Sequence, residues 1–72
     1  MLEYKKGTIL SCEYRKEKVN PWTVRQSMVI RANDGMEYDV IWQISNNQDL
    51  FGEGDYVSML VEDDCILYIK NY

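Results

Sequence analysis

The chain has no histidine, one proline, four glycines, one phenylalanine and two cysteines among its 72 residues. Without histidine it lacks the commonest general base and the commonest nitrogen ligand for metals, so hydrolytic and metal-centred chemistry start at a disadvantage. So little proline and glycine argues against a disordered or low-complexity chain. No apolar run approaches the roughly 20 residues that span a bilayer. The opening stretch MLEYKKGTIL also lacks a signal peptide's order of a charged segment followed by a long apolar one. A cytoplasmic protein with no membrane contact is therefore the expectation. In that setting Cys12 and Cys65 are read as reduced, small apolar side chains rather than as a disulfide. Neither cysteine has a recognisable activating partner, and Gly52-Glu53-Gly54 is too short for a phosphate-cradling loop.

Cations are scarce as well, eight against twelve acids for a net charge of −4, and they are unevenly placed. Seven cations and three acids fall between Met1 and Arg31, whereas nine acids and only Lys70 follow. A net negative chain repels nucleic acid at long range, so any such contact would have to be local. The acidic half is better suited to a basic partner. At 72 residues the chain is expected to form one domain, residues 1–72, near the lower size limit for a core without staples.

What the sequence does contain is a period of two. In WTVRQSMVIRA the positions Trp22, Val24, Gln26, Met28, Ile30 and Ala32 are mostly apolar and alternate with Thr23, Arg25, Ser27 and Arg31, Val29 being the exception. MEYDVIWQI repeats the pattern, with Met36, Tyr38, Val40, Trp42 and Ile44 on one face and Glu37, Asp39 and Gln43 on the other. Between them lies Asn33-Asp34-Gly35. A two-residue turn would set Ile30 against Asp39. A three-residue loop instead pairs Ile30 with Tyr38, Met28 with Val40 and Arg31 with Glu37, which keeps the apolar side chains together and puts Gly35 where a left-handed residue is needed.

The same reasoning at the C-terminus pairs Val61 with Cys65, Met59 with Leu67 and Val57 with Ile69 across a loop of Glu62, Asp63 and Asp64. That register leaves a second apolar face of Tyr56, Leu60, Ile66 and Tyr68. The remaining strand, GTILSCEY, buries either Leu10, Cys12 and Tyr14 or the alternate set containing Ile9, the first set being the more apolar. SNNQDLFGEGD, between the third and fourth strands, has room for about one helical turn before Gly52 and Gly54 stop it.

Five short strands with one helical turn between the third and fourth resemble an OB-fold, an all-β barrel, with an SH3-like barrel as the alternative. The phrase most similar to the family is GEGDYVSMLVEDDCILYI, which looks like the Gly-Asp-x-Val approach to the fourth strand of OB barrels. The resemblance covers nearly the whole chain at the level of fold. It implies a five-stranded OB-like barrel whose face on strands two and three, with flanking loops, commonly binds oligonucleotides.

Two surfaces are candidates for work. The first is the apolar set Tyr56, Leu60, Ile66 and Tyr68, rimmed by Glu53, Asp55, Glu62, Asp63 and Asp64. Such a patch fits a protein partner, a basic one or a second copy of the chain, and makes a non-enzymatic regulatory or binding module the favoured reading. The second is the loop between strands one and two, where Tyr14 and Trp22 could stack bases while Arg15, Lys16, Lys18 and Arg25 meet phosphates of single-stranded nucleic acid. Its structural reading is favoured over the functional one: Tyr14 and Trp22 continue the inward sets of their strands, and the charges between them solvate a loop tip. No cofactor is expected, and the Glu62–Asp64 run is read as a solvated turn rather than as a Ca²⁺ or Mg²⁺ site.

Overall fold

The computed structural model describes residues 1–16, 22–45 and 50–72, with only the backbone described for Arg15, Lys16 and Ser45. Five strands form one antiparallel sheet curled into a half-barrel: β1 (Leu2–Lys16), β2 (Thr23–Ala32), β3 (Glu37–Ser45), β4 (Tyr56–Glu62) and β5 (Cys65–Asn71). Across the sheet the order is β3-β2-β1-β4-β5. Strand β1 is the spine. Its first half pairs with β4, from Leu2 opposite Glu62 to Thr8 opposite Tyr56, and its second half with β2, from Gly7 opposite Ala32 to Lys16 opposite Val24. No helix among the described residues is long and apolar enough to cross a membrane. The helical turn expected between β3 and β4 falls chiefly on residues 46–49, outside the described residues, as do Lys18 and Pro21 of the basic loop.

The first hairpin has the register that its alternation dictates. Ile30 lies opposite Tyr38, Met28 opposite Val40 and Arg31 opposite Glu37. The Gly35 amide donates to the Ala32 carbonyl and the Ala32 amide to that of Met36, a tight turn followed by a bulge. Gly35 sits there at φ +92°, a conformation that a Cβ would oppose. Val24, Gln26, Met28, Ile30 and Ala32 are all buried, and the Arg31 guanidinium meets the Glu37 carboxylate at 3.0 Å on the outer side.

Strand β1 resolves its two alternatives by using both. Ile9 is buried opposite Ile30, and a bulge at Leu10 then shifts the register so that Cys12 lies opposite Met28 and Tyr14 opposite Gln26. One extra residue switches the inward set from odd to even positions. Just before the bulge, β1 and β2 approach so closely at Gly7 that a Cβ there would lie 2.5 Å from the Arg31 carbonyl oxygen.

The second hairpin departs from expectation. Glu62 pairs with Cys65 and Val61 with Ile66, so the turn is the two residues Asp63-Asp64, at φ +50° and +65°. Positive φ at both central positions is the mirror-image turn that suits the right-handed twist of a hairpin, and aspartate tolerates it better than most residues. A bulge at Leu67 then moves the pairing by one more residue, to Leu60 opposite Tyr68 and Met59 opposite Ile69. The three-residue loop, with Val61 opposite Cys65 and Met59 opposite Leu67, is thereby corrected. Val57, Met59, Val61 and Ile69 do form the buried face, but Cys65 and Leu67 are exposed and Ile66 turns inward against the core.

The concave side is closed by the segment leading to β4. Phe51 is buried there, and its backbone is held by the one buried polar side chain among the described residues, Gln26. The Gln26 Oε1 accepts from the Phe51 amide at 3.0 Å, and its Nε2 donates to the Phe51 carbonyl at 2.8 Å. The carboxamide thus completes, in a side chain, the pairing a neighbouring strand would have made. Two further bonds, from the Ile9 amide to the Asp55 carbonyl and from the Gly54 amide to the Ile9 carbonyl, fix the segment to β1 at its bulge.

Candidate functional site

Because directly opposed residues of antiparallel strands share a face, the pairings of β1, β4 and β5 define rows across the outer side of the sheet. Tyr4, Leu60 and Tyr68 form one row, with Tyr4 85% and Tyr68 54% exposed and Leu60 half-buried between them. The next row is Lys6, Ser58 and Lys70. Beyond it Thr8 lies opposite Tyr56, whose ring meets that of Tyr72 edge-to-face with centroids 5.3 Å apart. On the other side of the Tyr4 row, Leu2 and Cys65 both lie opposite Glu62.

The result is a strip of aromatic, basic and aromatic rows running across three strands. Several contacts order it. Asn33 donates to the Tyr56 hydroxyl at 2.6 Å, and the Tyr72 amide donates to the Tyr56 carbonyl. The Lys6 ammonium lies 4.1 Å from the centre of the Tyr72 ring, a cation over a π face, and its hydrogen bond and then its charge hold the Tyr72 hydroxyl below its usual pKa. Glu62, Asp63 and Asp64 close one end of the strip, Asp63 lying 3.6 Å from the N-terminal ammonium. Glu53 and Asp55 belong to the tight turn at the start of β4, where the Asp55 carboxylate accepts from the Gly52 amide at 2.8 Å.

Of the apolar set anticipated for this face, Tyr56, Leu60 and Tyr68 are together and Ile66 is on the other side, packed against the core. The acids sit at the two ends rather than around the patch. Lys6 and Lys70 occupy its middle, and sequence reasoning missed them. So too for Tyr4 and Leu2, which join the face only because β1 pairs with β4, a contact between residues more than fifty positions apart.

The second candidate is divided. Tyr14 is 58% exposed and Trp22 70% exposed, so neither is enclosed as the inward reading anticipated. Tyr14 shares a row with the buried Gln26 and half-buried Trp42, whereas Arg25 lies on the opposite, outer face with Gln43. Lys18 is outside the described residues, and only the backbone of Arg15 and Lys16 is described. The outer side of β2 and β3 carries Val29, Ile41, Arg31, Glu37 and Asp39, with no aromatic ring.

One ionic cluster ties the first hairpin to β1. The Lys5 ammonium donates to Asp34 at 2.7 Å and to the Tyr38 hydroxyl at 2.8 Å, and Glu3 is 3.6 Å away. These bonds push the lysine pKa up and hold the Asp34 carboxyl below its usual value. The Cys12 thiol is pushed up by burial, away from the reactive thiolate. Among the described residues no three of Cys, Asp and Glu converge in a geometry that would hold a metal. Comparison of the chain with family models, with curated proteins and with solved structures matched none of them.

Proposed function

We propose that the chain is a non-enzymatic binding module, an OB-like half-barrel that holds a protein partner on the outer face of β1, β4 and β5. The observation that carries this reading is the row of exposed Tyr4 and Tyr68 flanking half-buried Leu60, beside Lys6 and Lys70. Tyrosine covers large apolar area with few rotors to order and keeps a hydroxyl for the rim, which is why it is enriched where proteins meet. Burial of such rings at about 25 cal/mol per Å² drives association only after the loss of translational freedom is offset, so charge decides the partner. The partner is one of mixed charge: carboxylates opposite Lys6 and Lys70, and cations opposite the Glu62–Asp64 end. The OB-like assignment draws support from the central β1, shared between β2 and β4, and from incomplete closure between β3 and β5. Two free thiols, Cys12 and Cys65, suit the reducing cytoplasm as its compartment.

The test is capture from native cell extract by the wild-type chain and by a Tyr4→Ala/Tyr68→Ala variant. Both side chains are exposed, so their truncation leaves the core untouched. A protein retained by the wild type and lost with the variant supports the reading. Equal retention by both, or no protein retained, defeats it. A second reading, binding of single-stranded nucleic acid at Tyr14 and Trp22, is favoured by the exposure of both rings. It predicts an oligonucleotide in the captured material that depends on Trp22 and not on Tyr68.

A further inference from the structure

The sheet ends on one side at β3. All nine residues of that strand, Glu37 to Ser45, are engaged with β2 or its turn on one edge, and among the described residues no strand pairs with the other edge. A free edge is a row of unpaired amides and carbonyls, and proteins usually blunt it with a lysine, a proline or a bulge. The far edge of the sheet, β5, has two of these devices, the bulge at Leu67 and Lys70. Strand β3 has none. Its ladder with β2 runs without a break, and its sequence EYDVIWQIS contains no lysine and no proline. At its midpoint Ile41 points outward and is 67% exposed.

We propose that two copies of the chain pair antiparallel through the free edge of β3, on a two-fold axis at Ile41. A self-complementary strand must survive being laid against its own reverse. About Ile41 it does. On the outer side Ile41 of one copy meets Ile41 of the other, Asp39 faces Gln43 and Glu37 faces Ser45. On the concave side Val40 faces Trp42 and Tyr38 faces Ile44. No carboxylate opposes a carboxylate, every apolar side chain opposes an apolar one, and the whole strand is paired. An axis at Asp39 would instead stack two aspartates and oppose Glu37 with Ile41. Charge along β3 thus selects a second copy in this register, where an unrelated strand would have to match Glu37 and Asp39 with cations of its own. This interface uses the outer edge of β3, which faces the start of β5 across a cleft lined by Met36 to Trp42 and Asp64 to Ile66, and it does not depend on the β1–β4–β5 face being a binding site.

Sedimentation equilibrium measures it directly. The area joined by one strand pair is below that of a permanent dimer, so the mass should climb from 8.6 kDa towards twice that value as concentration rises from about 10 µM to about 1 mM. Ile41→Lys places two ammonium groups against each other on the axis and should hold the protein at the monomer mass throughout, with an unchanged circular dichroism spectrum because the side chain is exposed. Cross-linking reads the register without disturbing charge. In a Cys65→Ser background, Ile41→Cys should oxidise to a covalent dimer, since directly opposed Cβ atoms are within about 5.5 Å. Gln43→Cys, which faces Asp39 of the other copy, should not. A wild-type mass fixed at the monomer value across the range, a dimer undiminished by Ile41→Lys, or cross-linking as efficient at Gln43 as at Ile41 would each overturn the proposal.

Discussion

Replacing Gln26 by Leu removes the side chain that bonds both backbone groups of Phe51, and it does so inside the core, where Gln26 is 2% exposed. Leucine has nearly the same volume, so little cavity is created and the change isolates the hydrogen bonds. The Phe51 amide loses its partner, and the carbonyl keeps only the weak Cys12 thiol donor at 3.5 Å; a buried group so stranded is destabilising by about 1 to 3 kcal/mol. Summed over the amide, the weakened carbonyl and the lost bond from the Gln26 Nε2 to the Cys12 sulfur at 3.0 Å, the loss is about 2 to 6 kcal/mol, and the added apolar burial of leucine returns about 1 to 2 kcal/mol of it. A net cost of about 3 kcal/mol is large beside a total stability of about 4 to 11 kcal/mol expected for a chain of this length. The melting temperature should fall by about 12 to 24 °C. Urea titration followed by tryptophan fluorescence measures the change, and hydrogen exchange at residues 50–55 locates it, because the segment should open before the sheet does. Gln26→Glu adds a check by titration: burial raises the carboxyl pKa in the folded state above its unfolded value near 4.3, so that variant should lose stability as pH rises through this interval. A Gln26→Leu protein within about 0.5 kcal/mol of wild type would refute the clasp, since that is the range of an ordinary surface substitution.

Gly7→Ala should lower stability by about 1 to 3 kcal/mol in the same titration, because the new Cβ meets backbone, 2.5 Å from the Arg31 oxygen and 2.9 Å from the Ala32 Cα, so the strands themselves must part. Asp64→Gly should raise the melting temperature, by an amount equivalent to about 0.5 to 1 kcal/mol, since Asp-Gly is a favoured pair for a turn with positive φ at both positions. Lys5→Met should destabilise the protein at neutral pH, and the difference from wild type should shrink on both sides. Asp34, held low by Lys5, contributes stability that is lost as pH falls below about 3.9, and Lys5, held high, contributes stability that is lost as pH rises beyond about 10.4. Thermal melts from acid to alkali would show that plateau, and a difference constant across the range would refute the pairing.

The first hairpin was legible because both its strands alternate without interruption. Only one register kept Ile30, Met28 and their partners Tyr38 and Val40 on the same side, and a glycine stood where the loop needed one. The second hairpin offered no such discrimination. Its strands are apolar on both faces, so the three-residue loop and the two-residue turn each gave a plausible core, and alternation cannot announce a bulge. In β5 the residues Ile66 and Ile69 both face inward, an odd spacing that becomes readable only once Leu67 is known to be the extra residue. The same holds for Ile9 and Cys12 on either side of Leu10.

These slips matter more for the candidate site than for the core. A core position is fixed by its own hydrophobicity, so Val57, Met59 and Ile69 were found despite the wrong loop. Membership of an outer face is fixed by which strand lies alongside. Lys6 and Lys70 are far apart in sequence and both polar, with nothing local to connect them, yet they flank Ser58 because β1 and β5 pair with the two edges of β4. That pairing turns what reads in sequence as an acidic half into a strip with lysines at its centre and acids at its ends. Charge summed over a stretch of chain therefore points to a basic partner, whereas charge resolved by row gives the proposed partner both signs to answer. Of the two, the row is what a partner meets, because an ion pair is formed across a few ångströms and is screened beyond about 10 Å.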